Sequence, residues 1–432
     1  MNEFINIKTE NQTILQKRWP ELFQKLNQTT FAPYEYIEKN DASLIIHGIH
    51  LSSIYDRRAE AEQQTSLIAK DAESVNIYGI GLGDVVRVLL KRELLTTINV
   101  FLLNLACFKS VLSRFDCSDW MSDPRVGLQL PDNNAVINQP FVAVPSCLIL
   151  AESRFARTRD KVSLELAAPY MQKHMAELHI QMRQMIKRNI DLIQTDDDVS
   201  LLFQKHQGEM FAVVGAGPSL QETFSLLKRT QKRLVIVAVN TALKPLLENH
   251  IVPDYVVMID SDVEKMKQNF QVDMRLLKSS KLVYFPVVDH EALTLWTPKR
   301  YVAYGAHALY DEIQKTNRHT VLFTSGSVLH TATDLAVKMG AEKIIFFGAD
   351  FCFPNNRTHV AGAVVAQALN SSVLGPHWVM NGYGEKVTTQ ANYRGFLLDL
   401  ENYIQQQTQI KFYNASKIGA LINGTEFWVD HD

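Results

Sequence analysis

Short apolar runs, each followed by a small or polar turn and then by apolar residues at helical spacing, recur through most of the chain. In the C-terminal half the runs are Phe211–Val214, Leu234–Val239, Tyr255–Ile259, Lys281–Phe285, Thr320–Phe323, Lys343–Phe347 and Ile410–Tyr413. None alternates apolar with polar, so each reads as a strand buried on both faces. The segments between them, Gly326–Met339 and Tyr393–Gln406 among them, read as helices. This pattern predicts an α/β fold: a Rossmann-like, mostly parallel sheet covered on both sides.

The front of the chain repeats the pattern on a smaller scale. Ile14, Trp19, Leu22, Phe23 and Leu26 recur at roughly helical spacing, and Ala42–His47 reads as a strand. A strand at Val75–Tyr78, a glycine-rich turn at Gly79–Asp84, a helix at Val85–Arg92 and a second strand at Ile98–Leu103 make a Rossmann-like unit. That second strand ends at Asn104. Dinucleotide and S-adenosylmethionine sites usually carry an acidic residue there for the ribose hydroxyls, so the unit reads as a scaffold without a cofactor. Residues 151–207 are polar and helical in rhythm, and Asp196–Asp198 reads as a solvated loop or a helix cap. The expected division is an N-terminal α/β domain over 1–150, a helical connector over 151–207 and a catalytic domain over 208–432.

Composition narrows the function classes. With 432 residues, two domains are the prior, and the formal net charge of -2 argues against bulk electrostatic binding of nucleic acid. The longest apolar runs, such as Phe141–Ala151, fall short of a membrane span, and Met1–Asn11 has no apolar core of a signal peptide. The four cysteines form no metal-like cluster and read as reduced thiols of a cytoplasmic protein.

Ligands on parallel sheets bind beyond the carboxyl ends of the strands. The residues found there are Gly215-Ala216-Gly217-Pro218-Ser219, Asn240-Thr241, Asp260-Ser261-Asp262, Thr324-Ser325-Gly326-Ser327 and Gly348-Ala349-Asp350-Phe351. A polar loop, Asn355–His359, contains Arg357. Glycines permit a sharp turn, Pro218 suits a first helical turn and Ser219 can cap it. A helix N-terminus beyond such a turn attracts phosphate or carboxylate. Each group also has an ordinary explanation: Asp350, Asp260-Asp262 and Thr324-Gly326 as caps, His359 as a surface histidine. Five polar strand ends on one edge predict a site for a phosphorylated, hydroxyl-rich ligand.

Four blocks carry a family resemblance. They are Gly215–Leu220, Thr324–Gly326 followed by Met339–Asp350, Thr358–Gly362, and Ile410–Ala415 with Gly424-Thr425. Through them, Phe211–Ile422 resembles the motility-associated-factor glycosyltransferases of bacterial flagellin modification, which carry the 6-hydroxymethylpterin diphosphokinase-like (DUF115, MptE-like) domain. It is also distantly similar to bacterial sialyltransferases that use CMP-sialic acid. In front, Arg18–Leu22, Leu51–Asp56 with Glu60-Ala61, and Gly79–Gly83 resemble the N-terminal part of the motility family.

The resemblance implies transfer of a pseudaminic- or legionaminic-type nonulosonic acid from a CMP-activated donor to serine or threonine of flagellin. It places the CMP between Gly215–Ser219 and Thr324–Ser327, puts Asn240 at the nucleotide sugar, and makes His359 the general base. Asp350 and Arg357 complete the expected catalytic set, and Asp260 and Asp262 are the candidate Mg²⁺ ligands. One departure stands out: the sialyltransferases place a tyrosine directly after the aspartate of the Gly-x-Asp block, where this chain has Phe351. Leaving-group help would then come from elsewhere, with Tyr383, Arg357 or a metal as candidates. Two alternatives remain: Mg²⁺-dependent pyrophosphoryl transfer from ATP to a hydroxymethylpterin, and a non-catalytic flagellar assembly role.

Overall fold

The computed structural model describes residues 7–260, 272–317, 319–363 and 377–429, the side chains of 170–177 excepted. The chain divides into two compact units, Met1–Ala168 and Pro169–Asp432.

In the first unit, β1 (Glu35–Glu38), β2 (Ala42–Ile46) and β3 (Ile49–His50) form an antiparallel sheet. A parallel sheet follows, made of β4 (Ser74–Tyr78), β5 (Thr97–Phe101), β6 (Val126–Gln129) and β7 (Phe141–Ala143) in the order β6-β5-β4-β7. The helical stretch expected around Ile14–Leu26 is two helices, Thr9–Arg18 and Pro20–Gln28. Pro20 has no N–H to continue the first helix, and its ring suits the first position of the second.

The glycine-rich turn after β4 is packed by the unit's own side chains. A Cβ on Gly79 (φ +88°) would collide with Cys147, and one on Gly83 (φ +87°) would lie 2.5 Å from Nε1 of Trp120. Asp84 is held by Arg57 through contacts of 2.6 and 2.9 Å. Asn104 accepts the Cys107 N–H at 2.9 Å and donates to the Leu150 carbonyl at 2.6 Å. The residue where an acidic ribose ligand was sought is thus a helix N-cap.

The second unit is built on nine strands. They are β8 (Asp197–Asp198), β9 (Met210–Val214), β10 (Val235–Val239), β11 (Tyr255–Met258), β12 (Lys281–Tyr284) and β13 (Arg300–Val302), then β16 (Lys343–Phe347), β19 (Lys411–Asn414) and β20 (Glu426–Phe427). Between these in sequence, β14 (Tyr304–Gly305) pairs with β15 (Val321–Leu322), and β17 (Trp378–Met380) with β18 (Lys386–Thr388). The main sheet has the order β20-β19-β16-β9-β10-β11-β12-β13-β8, with every pairing parallel. Every residue of β10 and β11 is buried, as unbroken apolar runs require.

From β9 the chain steps outward to β13. It then returns to β16 on the other side of β9, so the order reverses between β9 and β16. That reversal is where an open parallel sheet leaves a crevice beyond its strand ends.

Two expectations are corrected. The Thr320–Phe323 run does not enter the main sheet. Its flanking backbone is bound by carboxylates instead: Thr320 N–H donates to Asp198 at 2.8 Å and Phe323 N–H to Asp334 at 2.8 Å. Asp196–Asp198 is not a solvated loop, and the cap reading holds only for Asp198, which accepts the Ser200 N–H at 2.8 Å at the start of the short helix Val199–Leu202. Asp197–Asp198 is the edge strand, and Asp196 takes both arms of Arg300 at 2.8 and 3.0 Å and the Tyr284 hydroxyl at 2.9 Å. Burial pushes the Asp198 carboxyl up, but hydrogen bonds from Ser200 and Thr320 outweigh it and hold the group at about 2.

Candidate functional site

The turns after β9 and β16 meet at the reversal point. Gly215 N–H donates to the Phe347 carbonyl at 2.8 Å, and Gly217 N–H to the Gly348 carbonyl at 2.9 Å. The approach is reciprocal. A Cβ on Gly215 would lie 2.5 Å from the Gly348 oxygen, and one on Gly348 (φ +62°) would lie 2.5 Å from the Gly215 oxygen. A Cβ on Gly217 would lie 2.5 Å from Oδ2 of Asp350. These glycines are required by two backbones crossing closely.

Ser219 precedes helix Leu220–Thr230 but its side chain makes no cap hydrogen bond, contrary to the expected cap. Its N–H instead donates to Oδ2 of Asp350 at 2.7 Å, and Leu220 N–H bonds the Gly217 carbonyl at 3.1 Å. The N–H groups of Gly215, Gly217, Ser219 and Leu220 are therefore spent inside the protein. This turn offers shape to a ligand more than donors.

Asp350 is buried, and burial is the main force raising its carboxyl to about 6. The Ser219 hydrogen bonds pull it down, and the charge of Glu222 adds to the rise. A carboxyl raised by folding binds its proton more tightly folded than unfolded. Stability from this group is full below its ordinary value near 3.8 and is lost as pH rises through about 6. Asp350→Asn keeps an oxygen for the Ser219 N–H and removes the titration. Relative to wild type it is expected to gain about 2–3 kcal/mol between pH 4 and pH 7. Urea midpoints at the two pH values measure this; an unchanged difference would contradict the buried charge.

A cleft of about 210 Å³ opens beyond the reversal point. It brings together Gly215, Ala216, Gly217, Asp260, Gly326, Asp350 and His359. The N-terminal turn of helix Val328–Lys338, from Gly326 to Leu329, forms one wall. Val360 N–H donates to the Ala216 carbonyl at 2.9 Å, which moors His359 beside the glycine turn.

Other expected residues do not line the cleft. Pro218, Ser219 and Asn240 are buried and not part of its lining, and Arg357 is exposed. Thr324 packs against Gly305, and Ser325 donates its hydroxyl to Asp399. Asp262 lies outside the described residues. Among the described residues no group of three or more His, Cys, Asp or Glu could hold a metal.

Thr241, Ser327 and Thr358, each within a stretch singled out in the sequence, also line the cleft, together with Tyr393 and Phe396, which sequence reading missed. Tyr393 and Phe396 are three apart at the start of helix Ala391–Gln406, a spacing that puts both rings on one face. Phe396 fills the space a Cβ on Gly326 (φ +80°) would need. Among the described residues, none lining the cleft is Lys or Arg.

Residues 184–356 match the family model described as 6-hydroxymethylpterin diphosphokinase MptE-like. The matched segment holds β8 to β16 and stops before Thr358, His359, Tyr393 and Phe396. A solved MAf glycosyltransferase from Magnetospirillum magneticum AMB-1 aligns over 97% of this chain and 74% of its own, at 16% identity and a TM-score of 0.48. No curated protein matches the chain.

Proposed function

We propose that this chain is a glycosyltransferase that moves a pseudaminic- or legionaminic-type nonulosonic acid from CMP to serine or threonine of flagellin, in the cytoplasm. The observation that carries the reading is the single cleft at the β9/β16 reversal. There a histidine, a helix N-terminus and the two glycine turns converge. The acceptor hydroxyl attacks the anomeric carbon and gives its proton to His359. The bond from that carbon to the phosphate oxygen breaks, with its electron pair going to the phosphate. The helix Val328–Lys338 presents its positive end to the charge that develops there. Among the described residues no helix is long and apolar enough to cross a membrane.

A second reading, Mg²⁺-dependent pyrophosphoryl transfer from ATP, is favoured by the wording of the matched family model and by Asp260 in the cleft. Calorimetry separates the two. Binding of CMP in the presence of EDTA, with no heat from ATP, supports sugar transfer; binding of ATP only with Mg²⁺ supports the other. The acceptor is tested by intact-mass measurement of flagellin from cells lacking the protein, where each modified site should lose one nonulosonic acid.

A further inference from the structure

The cleft poses a charge problem. Its described lining holds two carboxylates, Asp260 and Asp350, and neither Lys nor Arg. A phosphate that gains charge there needs hydrogen-bond donors. The turn after β9 has spent most of its N–H groups within the protein.

Resting on the transferase reading, we infer that Tyr393 donates the hydrogen bond that receives the departing phosphate. Helix Ala391–Gln406 sets this residue in its first turn, and the cleft is lined by it. Its ring is fixed by Phe353 at 5.3 Å and Phe396 at 6.1 Å between centroids. The side chain is half-buried, and among the described residues its hydroxyl has no hydrogen-bond partner. The hydroxyl is not among the buried polar atoms that lack a partner, so it is accessible from the cleft and open to an acceptor on a ligand. The other tyrosine considered, Tyr383, is 63% exposed, lies beside Lys417 and does not line the cleft.

The chemistry is hydrogen bonding without proton transfer. Burial, with the charges of Asp350 and Cys352, raises the phenol above its ordinary range. A phosphate monoester takes its second proton near pH 6, at about that value. The proton therefore stays on Tyr393. CMP leaves as the dianion, the acceptor oxygen is bonded to the anomeric carbon, and the acceptor's proton is on His359.

The test uses CMP and cytidine as probes on the full chain. Wild type is expected to prefer CMP to cytidine. Tyr393→Phe, which keeps the ring and its packing, is expected to shrink that preference by about 10-fold, the scale of a hydrogen bond to a charged group, with cytidine affinity and the urea midpoint unchanged. If Tyr393→Phe keeps the full preference, the assignment is wrong and the transferase reading stands. If wild type shows no preference for CMP, both are wrong.

Discussion

A His359→Gln protein is expected to bind CMP within about twofold of wild type and to transfer sugar about 10²–10⁴ times more slowly. Val360 N–H bonds the Ala216 carbonyl at 2.9 Å, so the backbone beside His359 is fixed whatever side chain stands there. His359 lines the cleft but is not among the packed apolar core, and glutamine fills similar volume. What glutamine cannot do is accept a proton near neutral pH. Loss of a general base removes stabilisation made only in the transition state, so kcat falls while ground-state binding persists. A base works only when unprotonated, so wild-type turnover should fall toward acid and the residual rate of the variant should stay flat. Release of CMP from the activated donor, with flagellin present, measures both. A variant with normal turnover, or wild-type turnover that rises toward acid, would remove His359 from this role.

Gly348→Ala is expected to cost about 3 kcal/mol of stability and to abolish ligand binding in the residual folded fraction. Two penalties add. The backbone sits at φ +62°, where an alanine is strained by about 1 kcal/mol. The added carbon would also lie 2.5 Å from the Gly215 carbonyl oxygen, a backbone atom that cannot swing aside. Relief requires β9 and β16 to part at the point where their turns exchange hydrogen bonds. Gly384 is the control. It has φ +79° but nothing within 4 Å of an added Cβ, so Gly384→Ala should show only the conformational cost of about 1 kcal/mol. Chemical denaturation of the two variants compares them directly, and equal losses would mean the crossing is looser than the geometry states.

The sheet was legible because its central strands are buried on both faces, which leaves unbroken apolar runs such as Val235–Val239 and Tyr255–Met258. Its edges were not. Asp197–Asp198 reads as solvent-facing because its charges are satisfied by residues far along the chain, Thr320 and His319 for Asp198 and Lys299 for Asp197. Such partners leave no local pattern; only the cap that Asp198 makes to Ser200 N–H does. The run at Thr320–Phe323 misled for the opposite reason: its apolarity is that of a strand, but carboxylates of Asp198 and Asp334 claim the flanking N–H groups.

The site divides along the same line. Residues next to glycine turns could be found from turn chemistry, and Gly215, Gly326, Asp350 and His359 do share a cleft. Tyr393 and Phe396 belong to a helix whose sequence looks like any amphipathic helix. Its first turn reaches the cleft because the helix packs against the Gly326 turn and helix Val328–Lys338, through Phe396 on Gly326, Asp399 on Ser325 and Tyr403 on Asp334. The roles expected for Ser219 and Asn240 could not be weighed from sequence, because burial behind a turn and exposure within it look alike there.

Gly79–Gly83 has the shape of a nucleotide loop, but Cys147 and Trp120 occupy the room beside it and Asn104 is committed to its own helix. Saturation with a nucleotide should therefore reach a stoichiometry of one per chain. Removing the Cys147 side chain by Cys147→Gly would vacate that room without giving the loop any anchor for a ribose.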